Sequence, residues 1–255
     1  MTAPVFLAEP RTLDAHTPGA ELTLEGAEAR HAGVVQRRRP GERVDVVDGC
    51  GVRLECRIAA VEPGRLTLAV EGRREEAAPA VRLVLAQALA KGDRDEMAVE
   101  AATEIGVDEV VPWQASRSVV VWRGDRAAKS RARWVATVRE ATKQSRRAHL
   151  PAVGDAVDSR GLVRLIRDTC ADGGRAVVLH ESAEQPLTAV ALPDGGPAAR
   201  VLVVVGPEGG ITDDELDAFT EAGAVLGRIG PHVLRTSTAG PVALAVLAER
   251  LGRWA

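Results

Sequence analysis

The chain has 255 residues, of which 45% are hydrophobic, 27% charged and only 2% aromatic, and its net charge is −3. This length allows one large domain or a small and a medium domain, and the few aromatic side chains argue against a protein that binds single-stranded nucleic acid mainly by stacking bases. The three cysteines lack metal-ligand spacing, so no bound metal is expected. The low cysteine count and the lack of a secretory leader pattern in the first ten residues predict a cytoplasmic protein. The chain has no apolar run of ~20 residues, so no membrane association is expected.

Residues 1–72 have the sequence pattern of a small β-domain. Five short segments are rich in β-branched residues or alternate apolar and polar residues, with turn residues between them. These predicted strands are Val5–Leu7, Ala20–Leu24, Arg43–Val47, Val52–Val61 and Arg65–Val70. Asp48–Gly51 has the composition of a hairpin turn, and one short helix is expected over about Glu28–Gln36. Short strands with glycine turns predict a small barrel, and the charged residues 73–80, which end in Ala and Pro, predict a linker.

Residues 81–255 alternate strands with helices. The predicted strands are Val81–Leu89, Val107–Trp113, Ala176–His180, Val201–Val205 and Val225–Ile229. The predicted helices are Arg94–Ile105, Asp125–Ala148, Leu162–Cys170, Thr212–Ala222 and Thr238–Leu251. Alternation of helices with nearly continuous apolar strands is typical of a parallel sheet covered on both faces, so an α/β domain is expected.

Positive charge is concentrated in one segment of the chain. Between Arg117 and Arg147 there are ten basic and two acidic residues, which gives a local charge of +8 and leaves −11 for the remainder. A basic stripe in an acidic protein can be the electrostatic footprint of a partner that carries phosphates. A solvated helix face in an arginine-rich chain explains the charge equally well.

A glycine-rich loop follows the apolar strand Val201–Val205. The loop is Gly206-Pro207-Glu208-Gly209-Gly210, and Thr212 and Glu215 then have capping-box spacing at the start of a helix. In open α/β sheets ligands bind beyond the carboxyl ends of strands, and glycines let the backbone approach a ligand closely. The loop lacks the G-x-G-x-x-G and G-x-x-x-x-G-K-[ST] phosphate-binding patterns. Three glycines and a proline in five residues exceed what a turn needs, so a ligand site is favoured over a simple turn, and a phosphate-poor nucleoside held by backbone groups would fit it.

A second loop, with a Gly-Pro pair, precedes the last helix. Ser237 or Thr238 is the expected N-cap, and Pro241 is then expected in the first helical turn. Arg235 lies just ahead of this helix N-terminus, where the helix dipole makes a cation unfavourable. An arginine placed against that preference is a candidate for binding an anionic substrate or transition state.

A third strand end carries a histidine and a glutamate. His180 and Glu181 have side chains typical of an acid–base pair. Neighbouring residues on a strand face opposite sides, so the predicted strand Ala176–His180 gives them no catalytic role.

Several segments together resemble the RsmE family of SPOUT methyltransferases. Gly206–Leu216 and Val233–Ala239 are similar to the two signature loops of that family. Further similarity lies in Glu100–Val107, Ser116–Val119, Gln144–Pro151 and His31–Gly41. The resemblance covers nearly the whole chain, although Ser237 stands where the family usually has Glu.

The resemblance implies a SPOUT-type trefoil-knotted α/β domain preceded by a small PUA-like barrel that binds RNA, in a homodimer. It implies transfer of a methyl group from S-adenosylmethionine to N3 of a uridine in 16S ribosomal RNA, with the small ribosomal subunit as partner. The cofactor is expected in the knot, between the loops at Leu179–Glu181, Gly206–Gly210 and Ile229–Leu234. The residues expected to bind it are Leu179, His180, Glu181, Gly206, Pro207, Glu208, Gly209, Gly210, Ile229, Gly230, Pro231, Val233, Leu234, Ser237 and Ala239.

Two residues are catalytic candidates under this resemblance. Arg235 is expected to stabilise the anion that develops at O2 or O4 as N3 loses its proton, and Glu208 is a candidate base or a residue that shapes its loop. The residues expected to contact RNA phosphates are Arg37, Arg38, Arg117, Arg146 and Arg147.

Other interpretations remain compatible with the residues alone. A non-catalytic RNA-binding or ribosome-assembly protein with a vestigial cofactor pocket is one, and a test of cofactor binding would separate it from an enzyme. A nucleotide-binding α/β enzyme unrelated to RNA is another, although the +8 segment and the predicted barrel argue against it.

The last helix is apolar on two sides, which fits either a dimer or an ordinary core helix. Its apolar residues are Val242, Ala245 and Val246 on one side and Leu244, Leu247 and Leu251 on another.

Overall fold

A computed structural model describes residues 3–196 and 198–254 of the chain. The described residues form two compact units. The first contains those up to Ala78 together with Thr142–Leu150, and the second contains Pro79–Ala141 and those from Pro151 onward. Residues 1–2 and 255, at the outer ends of the two predicted domains, lie outside the described residues, as does residue 197.

The first unit is built on a five-stranded sheet of mixed pairing. Its strands are β1 (Val5–Leu7), β2 (Glu21–Glu25), β3 (Arg43–Val47), β4 (Val52–Glu62) and β5 (Arg65–Glu75), in the order β1-β3-β4-β5-β2. β1 pairs with β3 in parallel, and the other pairs are antiparallel. The five predicted strands are therefore present. β1 and β2 are the two edges of this order, so the described strands do not close into a hydrogen-bonded ring.

Two local predictions for this unit differ from the structure. β5 continues to Glu75, three residues into the predicted linker, because pairing with β4 and an ion pair between Arg74 and Glu55 hold charged residues in the strand. The single helix predicted over Glu28–Gln36 is α1 (Gly26–Arg30) followed by a π-helical stretch. That stretch spans His31–Val35.

The segment Thr142–Leu150 returns to the hairpin between β3 and β4. The backbone N–H of Gly51 donates to the carbonyl of Ala148 at 3.2 Å, and the N–H of Leu150 donates to the carbonyl of Gly49 at 2.9 Å. Ala148 is fully buried in a small apolar cluster with residues of β1 and β3. The helix predicted to reach Ala148 therefore stops at Gln144, because the following backbone groups pair with the hairpin and Arg146 takes a left-handed conformation (φ 58°).

The second unit contains a seven-stranded sheet, five α-helices and one 3₁₀ helix (Leu187–Ala189) among its described residues. The elements are β6 (Arg82–Ala88), α2 (Arg94–Ile105), β7 (Glu109–Gln114), α3 (Gly124–Gln144), β8 (Ala152–Val153), β9 (Val157–Asp158), α4 (Ser159–Ala171), β10 (Arg175–Leu179), β11 (Arg200–Val205), α5 (Asp213–Glu221), β12 (Val225–Gly227) and α6 (Thr236–Arg250). The last three residues of α3 belong to the first unit. The strand order is β12-β10-β11-β6-β7-β8, and β9 also pairs with β7.

Every pairing in this sheet is parallel, as the alternation of strands and helices predicts. Helices cover both faces. Val84 and Ala86 of β6 pack in the core formed with α4 and α5, whereas Leu85 points toward Gly240 of α6. Trp113 and Phe219 meet edge to face in the first of these layers, with ring centroids 5.6 Å apart. The two-residue strands β8 and β9 were not predicted because they are too short to show a periodicity.

The start of α6 differs from the predicted one. The helix begins at Thr236, and its N-cap is Arg235, whose side chain makes no capping hydrogen bond, so the predicted cap at Ser237 or Thr238 is wrong. Pro241 consequently lies inside the helix rather than in its first turn. Arg235 does stand at the helix N-terminus, as the sequence predicts.

Four neighbouring strands end at one edge of the sheet. β12, β10, β11 and β6 are adjacent and parallel, so the loops that follow their carboxyl ends lie side by side. This edge is where open α/β sheets bind ligands. Among the described helices, none has both the length and the apolar character that crossing a membrane requires.

Candidate functional site

A cavity of about 450 Å³ opens at this edge of the second unit. Its walls come from the ends of β10 and β11, the glycine-rich loop, the loop ahead of α6 and the first residue of α2. The lining residues are Arg94, Leu179, His180, Glu181, Val205, Gly206, Pro207, Glu208, Gly210, Ile211, Val233, Leu234, Arg235, Thr236 and Ala239. A smaller cavity of about 80 Å³ adjoins it and adds Gly227, Arg228, Ile229 and His232.

The cavities bring together most of the residues predicted to bind a cofactor. Eleven of the fifteen line one cavity or both. The four that line neither are Gly209, Gly230, Pro231 and Ser237. Both catalytic candidates, Arg235 and Glu208, lie on the wall of the larger cavity.

Several lining residues were not predicted. Arg94 follows β6, and its position after a strand end could have drawn attention to it. Thr236 was overlooked because the helix was expected to start later.

His180 and Glu181 were predicted to bind the cofactor, and both line the cavities. The strand alternation that argued against a catalytic role for them does not apply, because β10 ends at Leu179 and leaves them in a loop. The Nε2 of His180 lies 3.9 Å from Glu181.

Close contacts require glycine at two positions of the glycine-rich loop. A Cβ on Gly206 would come within 2.7 Å of the Ile211 side chain, and one on Gly209 would come within 3.0 Å of the Cβ of Arg117. A guanidinium nitrogen of Arg117 also donates to the carbonyl of Gly209 at 3.2 Å. Arg117, predicted to contact RNA, therefore packs against the loop that forms the cavity wall.

Glu215 fixes the far end of this loop to its surroundings. It completes the predicted capping box with Thr212, whose N–H donates to the Glu215 carboxylate at 3.0 Å. The same carboxylate accepts from the backbone N–H of Ser116 at 2.8 Å and from the hydroxyl of Ser159. Burial alone would raise the pKa of Glu215, but these donors together lower it below its usual value.

Glu208 is held from the other side of the cavity. Its carboxylate accepts a hydrogen bond from the Arg94 guanidinium at 2.9 Å and one from the backbone N–H of Lys91 at 3.3 Å. Desolvation would raise the pKa of Glu208, but hydrogen bonds from its own backbone, from Arg94 and from Lys91 lower it. A carboxylate in this state accepts a proton less readily than an unperturbed glutamate.

Arg235 is exposed on the cavity wall. It forms no ion pair within residues 3–196 and 198–254. Its guanidinium is therefore a positive charge available to a bound anion.

The other arginines predicted to contact RNA lie in the first unit. Arg37 and Arg146 are exposed and adopt left-handed backbone conformations, with φ of 52° and 58°. Arg38 is partly exposed and forms an ion pair with Glu42 at 3.2 Å, and Arg147 is also partly exposed. Left-handed non-glycine residues are uncommon and often accompany function.

Part of the basic stripe is engaged inside the protein. Arg131 donates to backbone carbonyls of the Val153–Gly154 segment, and Arg133 forms an ion pair with Glu96 at 3.3 Å. Lys143 forms an ion pair with Glu28 at 3.2 Å, and its side chain is only 11% exposed. The +8 count therefore overstates the charge that this segment presents to a partner.

No group of three or more His, Cys, Asp or Glu side chains is arranged to hold a metal in the part of the chain that the structure describes. The cavity is lined instead by backbone groups, apolar side chains and a few charged ones. It has the size and character of a small-molecule site.

Comparison with known proteins identifies the family. Residues 77–248 match the model of the RNA methyltransferase domain. The chain belongs to this family. Ribosomal RNA small subunit methyltransferase E of Mycobacterium bovis is 43% identical over 238 residues, which are 92% of this chain and 89% of the relative. The protein of the same name from Bacillus subtilis is 30% identical over 89% of each chain.

Solved structures of similar fold include members with a cofactor. Ribosomal RNA small subunit methyltransferase E from Neisseria gonorrhoeae, bound to S-adenosylmethionine, has a TM-score of 0.85 and 26% identity, with 98% of each chain covered. A Legionella pneumophila protein in complex with S-adenosylmethionine has a TM-score of 0.84, also with 26% identity and 98% of each chain covered. The similarity to these two structures extends over both units of the chain.

Replacing Glu215 with Gln tests how firmly it fixes the glycine-rich loop. The variant keeps the side-chain shape but loses the charge, so we expect the free energy of unfolding at neutral pH to fall by about 1–3 kcal/mol. The folded-state pKa is lowered, so the stabilisation by the charged form is complete above the usual value of 4.5 and is lost as pH falls through the lower folded value.

Urea unfolding of wild type and Glu215→Gln over a pH series measures this effect. The difference between the two proteins is expected to be largest at neutral pH and to narrow below pH 4.5. Glu221→Gln is the control, because Glu221 is exposed at the end of the same helix. If the difference in the free energy of unfolding between wild type and Glu215→Gln stays constant with pH, the expectation is contradicted.

Proposed function

We propose that this protein transfers a methyl group from S-adenosylmethionine to N3 of a uridine in 16S ribosomal RNA of the small ribosomal subunit. The observation that carries the proposal is the cavity formed by the three loops, in a chain of the RNA methyltransferase family. The names of the relatives support small-subunit ribosomal RNA as substrate, and the bound structures support the cofactor. A cytoplasmic location fits the three free cysteines.

The residues of the cavity fit S-adenosylmethionine. The volume of about 450 Å³ is in the range of small-molecule sites. Leu179, Ile211, Val233 and Leu234 offer apolar surface to an adenosine group, and the loop Gly206–Gly210 offers backbone groups at close range. When bound, this cofactor supplies a methyl group on a positively charged sulfur.

Transfer to N3 requires removal of the N3–H proton. The methyl group would replace the N3–H proton, which passes to solvent, and negative charge develops on the uracil as that proton leaves. A cation held near O2 or O4 stabilises that charge and lowers the barrier. Arg235 is the residue we assign to this role, because its exposed guanidinium lines the cavity at the N-terminus of α6.

Glu208 has a different role in this proposal. Its lowered pKa and its two hydrogen bonds make it a weak general base. The bond to Arg94 instead joins the glycine-rich loop to the start of α2, which keeps the wall of the cavity in place for the reacting groups.

Phosphate contacts are assigned to Arg37, Arg38, Arg146 and Arg147 of the first unit and to Arg117 of the second. Exposure of Arg37 and Arg146 supports the first group. In this proposal the PUA-like RNA-binding domain predicted over residues 1–72 is the first unit, which also includes Thr142–Leu150, and the SPOUT domain predicted over residues 81–255 is the second unit. β5 takes the first three residues of the linker predicted over residues 73–80. We further propose that the loops of the larger domain are threaded as a trefoil knot, in accordance with the family resemblance.

A homodimer completes the proposal. One side of α6 carries Val242, Ala245 and Val246, which remain partly exposed although they are apolar. On the opposite side Leu244 and Leu247 are fully buried in the core. A partly exposed apolar side suits contact with a second copy of the chain.

The function is tested by incubating the protein with methyl-labelled S-adenosylmethionine and small subunits from cells that lack the enzyme. Digestion of the RNA should give labelled N3-methyluridine. Another methylated nucleoside would keep the methyltransferase activity but refute the target atom. Absence of both label and cofactor binding would refute the enzyme and support the vestigial-pocket alternative.

Arg235→Ala is expected to lower kcat by about 10²–10³-fold, because a charge-stabilising group is lost from the transition state. The dissociation constant for S-adenosylmethionine should change little. Single-turnover methylation and calorimetric titration measure the two quantities. Arg160→Ala, an exposed arginine on α4, is the control for loss of a surface charge. Unchanged turnover in Arg235→Ala would exclude the assigned role.

Reversing the charges of Arg146 and Arg147 to Glu should weaken RNA binding and flatten its salt dependence. Loss of two phosphate contacts reduces the slope of log affinity against log salt by about 1.4–1.8. The control is the double reversal of Arg160 and Arg164, exposed residues of α4 that give the same change in net charge. Equal slopes in wild type and the Arg146/Arg147 variant would contradict these contacts.

Val246→Glu should convert the dimer to a monomer, because a charge would be buried at the interface. Light scattering after gel filtration gives the mass of each species. Ala171→Glu places the same charge on an exposed position of α4 and should leave the mass unchanged. A monomeric wild type would refute the dimer directly.

A further inference from the structure

Gln87 is the one polar side chain in the apolar, buried run Leu83–Ala88 of β6. Gln87 is fully buried, between Ala86 and Ala88, which are buried as well. Burying an amide is unfavourable unless its polar atoms find partners. The amide nitrogen of Gln87 donates to the hydroxyl of Thr236 at 2.9 Å and to the carbonyl of Ala88 at 3.3 Å.

Thr236 links Gln87 to the glycine-rich loop through a second hydrogen bond. It is the first residue of α6, it lines the cavity, and only 7% of it is exposed. Its hydroxyl donates to the carbonyl of Gly206 at 2.8 Å. A hydroxyl has a single proton, and the donor from Gln87 occupies a lone pair, so the proton is directed to Gly206.

Gly206 is the point where the loop leaves the sheet. The backbone pairing of β11 with β6 ends at Val205, whose partner is Gln87 itself. The carbonyl of Gly206 lies one residue beyond that ladder and accepts from Thr236 instead. The two bonds thus join β6, the glycine-rich loop and the start of α6, which are segments far apart in the sequence.

A glycine on α6 makes this geometry accessible. A Cβ on Gly240 would lie 3.0 Å from a methyl of Leu85 and 3.4 Å from the Oε1 of Gln87. The absence of a side chain lets α6 approach β6 closely enough for Thr236 to reach the amide. The same packing leaves the Oε1 of Gln87 buried without a hydrogen-bond partner among the described residues.

We propose that Gln87 and Thr236 are positioning residues that hold the two loops of the cavity at the spacing required by the cofactor. This rests on the proposed function, since it names what sets the affinity for S-adenosylmethionine. Loops that are fixed before binding lose less conformational freedom when the ligand arrives, so the affinity is higher. Both side chains act through the backbone of Gly206, and the Thr236 hydroxyl is already committed to protein partners.

Thr236→Val keeps the shape of the side chain and removes the hydroxyl. We expect its dissociation constant for S-adenosylmethionine to rise about tenfold, because the carbonyl of Gly206 loses its donor. KM for the cofactor should rise in parallel, while kcat at saturating cofactor changes by about twofold at most. Thr236→Ser restores the hydroxyl and should return both constants to within about threefold of wild type.

Gln87→Met tests the second half of the pair with little cost to folding. The substitution removes an amide whose oxygen is unsatisfied, so thermal stability should change little. Affinity for the cofactor should nevertheless fall, because the Thr236 hydroxyl is no longer oriented. The double variant Gln87→Met/Thr236→Val should bind no more weakly than Thr236→Val alone, as expected of residues that act together.

Thr103→Val is the matched control. Thr103 is fully buried on α2, and its hydroxyl donates to the carbonyl of Val99 at 2.8 Å, so the variant also loses a buried bond to a backbone carbonyl. It should lower the melting temperature without changing the dissociation constant for S-adenosylmethionine. All variants are measured as the full chain by calorimetric titration, by cofactor-dependent kinetics and by thermal unfolding.

The outcomes separate this inference from the proposed function. Wild-type affinity in Thr236→Val, with wild type itself binding and methylating, overturns the inference alone. Equal loss of affinity in Thr103→Val overturns it as well, because a general loss of stability then explains the result. If Thr236→Val does not fold, unchanged affinity in Gln87→Met decides against it. A wild type that binds no S-adenosylmethionine overturns both the inference and the proposed function.

Discussion

The parallel pairing of β12, β10, β11 and β6 is the constraint on which the candidate site depends. Parallel strands all end at the same edge, so the loops after Leu179, Val205 and Gly227 must lie side by side. These loops are far apart in the sequence, and the sequence of one loop does not show which other loops lie beside it. The sheet therefore creates the cavity by alignment, and the side chains of the loops only determine its chemistry.

Loops placed in this way still need to be held, and the second unit holds them with polar contacts. Glu215 accepts hydrogen bonds from Thr212, Ser116 and Ser159, and so joins the glycine-rich loop to two neighbouring segments. Arg94 binds Glu208 on the cavity wall, and the Gln87–Thr236 pair binds Gly206 from beneath. The contacts of Glu215, Gln87 and Thr236 satisfy buried or backbone groups that would otherwise destabilise the fold, so there loop order and stability have the same origin. The Arg94–Glu208 pair joins two more exposed side chains.

The number of basic residues in a segment of the sequence does not show how much positive charge that segment presents to a partner. Arg131, Arg133 and Lys143 lie in the most basic segment, yet they pair with carbonyls or carboxylates of the protein. Arg235 stands in a less conspicuous part of the chain but lines the cavity with its charge unpaired among the described residues. The local environment of each arginine, rather than the count, determines which of them can act on RNA or on a reacting uracil.

Periodicity and turn chemistry, which are local patterns, were enough to predict the α/β alternation of the second unit, the five strands of the first, the capping box at Thr212 and the loop Gly206–Gly210. The motifs of the sequence also carried the family resemblance. Tertiary contacts set where α3 ends, where α6 begins and that Thr236 lines the cavity, since each depends on backbone pairing or on the exact end of an element. Gln87 shows the reason most clearly. The role of a glutamine in an apolar strand cannot be predicted from its neighbours in sequence, because its partner Thr236 lies on α6, 2.9 Å from it only in the folded chain.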